Sequence, residues 1–123
     1  MNKERPVLSN LINANTTEIE AFQNEVLRPI IKMQHDLLIA FFRNYLQKRK
    51  IDFNPLSEQK KRTKIKSILE KDIQFKNKIV GSILGHFSVD EYVIYTDKLS
   101  EFNRRMIQII IKRLQDSISE IKL

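Results

Sequence analysis

Two histidines, His35 and His86, and no cysteine make up the imidazole and thiol chemistry of this 123-residue chain. Without cysteine there is no disulfide framework, no cysteine zinc site, no iron–sulfur cluster and no thiol nucleophile. Neither histidine belongs to a His-Glu-x-x-His spacing. His35 and Asp36 are adjacent, so on a helix their side chains point about 100° apart and are not expected to chelate one ion. His35 reads as a surface residue and His86, in the turn at residues 85–88, as a helix-end residue. Ser82 follows Gly81, but no Gly-x-Ser-x-Gly elbow and no glycine-rich phosphate loop surrounds it. The carboxylate pairs Glu18/Glu20 and Asp90/Glu91 sit where helices should begin, a position the helix dipole favours without any acid–base role. No catalytic residue, cofactor or metal site is therefore expected.

Two amides are harder to set aside. Gln23 and Gln34 lie eleven residues apart, which on a regular helix puts both in the middle of an apolar arc beside Phe41. Buried amides need partners. Either they tie helices together or satisfy a kink at Pro29, or they form a small polar pocket there.

Charge supplies the other candidate. The formal balance is +7, from 22 Lys and Arg against 15 Asp and Glu. Residues 1–47 carry five of each sign, and residues 67–123 carry nine basic and eight acidic. Residues 48–66 hold the excess: Lys48, Arg49, Lys50, Lys60, Lys61, Arg62, Lys64 and Lys66 against Asp52 and Glu58. Such a focus suits nucleic acid or an acidic protein. It equally suits a solvated helix start, since the cations of residues 60–64 point all round and oppose the dipole of their own helix. Phe53 is the single aromatic nearby, whereas a stacking platform for single strands would want several.

The elements that must position these groups are helical. Thr17-x-x-Glu20 is a capping box opening a first helix. Apolar residues from Ile19 to Tyr45 then cover about 200° of its circumference on a 3.6-residue period. Pro29 is expected to kink it near Glu25, by removing one backbone hydrogen bond. A second helix follows Ser57, with a break expected at residues 72–77. Gly81 and Gly85 lie on one face there, allowing close backbone approach, although Gly85 is equally a candidate C-cap. Ser88-x-x-Glu91 opens a third helix that nothing interrupts before the C-terminus. The turn between the last two resembles a helix-turn-helix, but Asp90 and Glu91 would repel phosphate where the recognition helix should approach it.

The expectation is an all-α fold: an elongated antiparallel bundle of three long helices over residues 17–123, with residues 1–16 as an N-terminal arm. Each helix of about 30 residues would run about 45 Å. The longest apolar run, Leu37–Phe42, has six residues against the ~20 that span a bilayer. With no signal-peptide pattern, a cytoplasmic protein is expected, without a membrane partner.

The stretch from Phe22 to Gln34 (FQNEVLRPIIKMQ), with Phe42-Arg43-Asn44-Tyr45 and Glu91-Tyr92, resembles a group of small uncharacterised bacterial helical proteins, some labelled glyoxalase. The likeness runs over roughly residues 20–120. Glyoxalases of the usual kind are paired βαβββ modules with His/Glu metal ligands, and neither pattern is present. The resemblance adds weight to Gln23, Arg28 and Gln34 around Pro29 as the polar-pocket set.

Three functional expectations follow. The first is a non-enzymatic helical protein acting through protein contacts, a homodimer among them, because the outer helices carry more apolar arc than a bundle uses. The second is sequence-independent binding of nucleic acid or another anionic partner by residues 48–66. The third is a small-ligand or enzyme site at the Pro29 kink.

Overall fold

The computed structural model describes residues 18–123. The Thr17 capping box and the N-terminal arm at residues 1–16 lie outside them. The described residues form helices, turns and loops with no strand. No helix among them is long and apolar enough to cross a membrane.

The first expected helix is present in pieces. Helix α1 (Glu18–Phe22) leads into a π-helical turn, Gln23–Leu27, followed by α2 (Arg28–Met33) and α3 (His35–Lys48). The π turn is the chain's answer to Pro29. A proline ring collides with the carbonyl four residues earlier and offers no N–H to it. Here the Arg28 N–H instead reaches back five residues to the Gln23 carbonyl, widening the turn before the ring. Gln34, at φ −89° and ψ 10°, separates α2 from α3 while its N–H still bonds Ile30 and Ile31. Met33 and Leu37, both on the expected apolar arc, are exposed beside this interruption.

Helix α3 ends in a Schellman motif. The Lys50 N–H bonds the Gln47 carbonyl, the Ile51 N–H bonds Leu46, and Lys50 takes φ 54°. The following loop folds Phe53 inward, fully buried, with its ring edge-on to Phe42 at 5.9 Å. Ser57 caps helix α4 (Glu58–Lys71) by accepting from Lys60 N–H. Asp72, with ψ 100°, breaks the helix and caps the next, α5 (Ile73–Leu84), through the Phe75 N–H at 3.0 Å. Gly85 closes α5 in a right-handed conformation. A Cβ on Gly81 would meet nothing within 4 Å, so no close internal approach depends on that glycine.

The expected third helix is also divided. Ser88 and Glu91 form their reciprocal capping box at the start of α6 (Val89–Asp97). Lys98 then leaves helical geometry before α7 (Leu99–Asp116) and a short 3-10 turn, Ile118–Glu120. No Gly or Pro marks Lys98; the cause is tertiary. Bending there gathers Phe22, Phe87, Tyr95 and Phe102 into one ring cluster, with centroids 4.6–6.3 Å apart along successive pairs.

Helix α7 is the hub. It packs against α2, α4, α5, α6 and the π turn. Its stripe Phe102, Met106, Ile107, Ile110, Ile111 and Leu114 joins a single cluster of buried residues drawn from every helix of the described chain. At about 1.5–3 kcal/mol for each large side chain buried, that cluster dominates the favourable side of folding.

Candidate functional site

The π turn separates the two amides. Because it takes an extra residue per turn, Gln23 rotates away from the face it would share with Gln34 on a regular helix. Gln23 Oε1 accepts from the Arg105 guanidinium on α7 at 2.8 Å. Gln34 Nε2 donates to the Ser82 carbonyl on α5 at 3.3 Å. Both are half-buried ties between helices, one to α7 and the other to α5. Gln23 and Arg28 do share an open groove of about 220 Å³ with Arg105, Gln108 and Lys112. Arg28 Nε donates to Asn24 Oδ1, and Arg105 Nε donates to Glu101 at 2.6 Å, which holds the Glu101 carboxyl below its ordinary range.

The basic segment is split by its surroundings. The start of α4 lies against the carboxyl end of α7, where Arg62 faces the negative end of a second helix dipole. Arg62 donates to the Gln115 carbonyl at 3.2 Å, and Gln115 returns a bond to the Arg62 carbonyl at 3.0 Å. Lys61 lies 5.5 Å above the Phe53 ring. Arg49 pairs with Asp72 at 3.1 Å and covers the Tyr45 ring at 4.8 Å. Lys50 forms the left-handed helix end. Lys60 and Lys66 are exposed and Lys64 is half-buried, none with an acidic partner among the described residues. Of the eight, Arg49, Lys61 and Arg62 thus have structural contacts, while Lys60 and Lys66 face solvent.

Lys48 has a different setting. It lies in a groove of about 260 Å³ between α3 and α5, with Phe41, Asn44, Tyr45 and Arg49. Gln74, Phe75 and Lys78 supply the α5 side. Phe75 is no sequence neighbour of these cations; α5 brings it to them, with Gln74 and Lys78, from across the fold. The α3 half had a signal: Phe41, Asn44, Tyr45 and Lys48 follow the i, i+3, i+4, i+7 rule of a single helix face. At one end Tyr45 donates to Asp72. Burial, then the Asp72 bond, pushes the Tyr45 hydroxyl pKa up. The Phe75 N–H, followed by Tyr45, holds the Asp72 carboxyl below its ordinary range.

His35 is better connected than its sequence neighbours suggest. One ligand atom each from His35, Asp36 and Glu120 lies within 4.8 Å of the others, despite the divergence expected of adjacent helical residues. The His35 position at the start of α3, and the return of the C-terminal turn, bring them together. Its hydrogen bonds nevertheless oppose ligation. Arg113, always a donor, lies 3.2 Å from Nδ1, which must accept. The ring proton then sits on Nε2 and faces Glu120 at 2.9 Å.

Helix α6 carries the most exposed apolar surface. Val89, Tyr92 and Val93 are 79%, 50% and 61% exposed, and with Thr96 they follow one outward stripe, while Tyr95 points into the core. Ile94 and Leu99 extend the surface, which adjoins a recess of about 520 Å³ containing Glu18 and Phe102. Val89, Tyr92, Val93 and Leu99 thus belong to the part of the third apolar arc that the fold leaves in water.

Comparison with protein-family models, curated proteins and solved structures gives no match to this chain.

Proposed function

We propose that this chain is a non-enzymatic module working through protein contacts, with the outward stripe of α6 pairing two copies of itself. The observation that carries the reading is the exposure of Val89, Tyr92 and Val93 on one face of a nine-residue helix. Contiguous apolar surface of this kind is uncommon on a monomer, and its removal from water drives association. The groups suited to acid–base work point the same way: His35, Asp72 and Glu101 are each engaged by structural partners.

Sedimentation velocity across a concentration series tests this. The native chain should shift from monomer to dimer, and Val93→Asp should remain monomeric with unchanged far-ultraviolet circular dichroism. A native chain that stays monomeric at the highest attainable concentration overturns the reading, as does a Val93→Asp variant that dimerises normally.

A further inference from the structure

We infer that the α3–α5 groove binds a phosphorylated nucleoside unit, in a pocket separate from the α6 contact. The argument begins with charge. Lys48, Arg49 and Lys78 line this groove, and Asp72 pairs with Arg49 at 3.1 Å. Neither lysine has an acidic partner among the described residues. Two positive charges are left uncompensated, which suits the dianion of a phosphate monoester.

The same groove is aromatic. Phe75 is buried at its base, 4.6 Å from the Tyr45 ring, and Phe41 and Tyr45 are half-buried walls. The Lys78 ammonium lies 4.9 Å over Phe41, and the Arg49 guanidinium 4.8 Å over Tyr45. A ligand with a flat ring and an anionic tail replaces the first of these contacts with two better ones. The flexible Lys78 stem lets its ammonium move onto phosphate, which uncovers the Phe41 face for stacking. Asn44 and Gln74 offer amide donors and acceptors to the polar edge of a base. A phenyl phosphate has no such edge, so the amides favour a nucleobase over a phosphotyrosine side chain. At about 260 Å³ the space admits one unit and no duplex. The source is either a free nucleotide or one residue of a single strand.

Isothermal titration at low salt with AMP, UMP, inorganic phosphate and phenyl phosphate tests the chemistry; anisotropy of a labelled single-stranded oligonucleotide tests the source. At least one nucleotide should bind about tenfold tighter than inorganic phosphate or phenyl phosphate. Lys48→Glu and Lys78→Glu should each weaken it about tenfold, while Lys66→Glu, on the exposed side of α4, leaves it unchanged. A much tighter oligonucleotide, weakened by the same two variants, identifies a strand as the source; equal affinities identify the free nucleotide. For a strand, log affinity should fall with log salt by about 0.7 per phosphate neutralised. Absence of binding to every probe at low salt overturns the inference. So does phenyl phosphate binding as tightly as either nucleotide, or a Lys66→Glu loss equal to that of Lys78→Glu, which would mark diffuse charge.

Discussion

The Tyr45 hydroxyl donates to the Asp72 carboxylate across 2.7 Å, tying the last turns of α3 to the break between α4 and α5. Asp72 meanwhile caps α5 and pairs with Arg49. One carboxylate thus stabilises the break that creates one end of the α3–α5 groove.

Acid should loosen this junction. The Asp72 carboxyl is held below its ordinary value of 3.8, and Glu101 below 4.5. Carboxyls lowered in the folded state stabilise it fully above their ordinary values, and that contribution is lost as pH falls through the lowered ones. Thermal midpoints should therefore drop below about pH 4. Asp72→Asn keeps a capping oxygen but loses the charge; its midpoint should be lower at pH 7 and fall less steeply in acid.

Tyrosine tests the same contact from the alkaline side. Burial raises the Tyr45 and Tyr95 hydroxyl pKa values above 10.0. A raised group contributes fully below its ordinary value, and the contribution is lost as pH rises through the raised one. Absorbance titration should show late-ionising tyrosine that diminishes in Tyr45→Phe. That variant should cost about 1 kcal/mol at neutral pH, the usual worth of one hydrogen bond.

Two backbone positions should respond in opposite senses to glycine. Lys50 holds φ 54°, a left-handed conformation that glycine adopts without strain. Lys50→Gly should raise stability by about 0.5–1 kcal/mol, with part of the gain lost to unfolded-chain entropy. Gly81 lies inside α5 with open space at its Cβ. Gly81→Ala should also stabilise, by about 0.5–1 kcal/mol. Chemical denaturation of both variants checks the pair.

His35 links the start of α3 to α7 through Arg113 and to the C-terminal turn through Glu120. His35→Ala should lower stability by about 1 kcal/mol and speed hydrogen exchange at Ile118–Ile121 more than in the core of α7. Added zinc should leave the thermal midpoint unchanged. Ligation through Nε2 would move the ring proton to Nδ1, against the Arg113 guanidinium.

The all-helical character, the Ser57 cap, the Ser88–Glu91 capping box and the disturbance at Pro29 were legible in the sequence. Each depends on residues within one helical turn, where propensity and capping act locally. The break at Asp72 fell within the expected window for the same reason: a short acidic side chain competes for backbone N–H groups. The interruption at Lys98 and the outward turn of α6 were not legible, because rings from residues 22, 87, 95 and 102 decide them together. The basic run marked Lys48 and Arg49 as candidates, but it could not supply Gln74, Phe75 and Lys78, which α5 brings from across the fold. Nor could it show that Arg62 serves the carboxyl end of α7. Local chemistry chose the helices and most of their ends; long-range packing placed the break at Lys98 and chose which charges are occupied, which are free, and which apolar face is left to water.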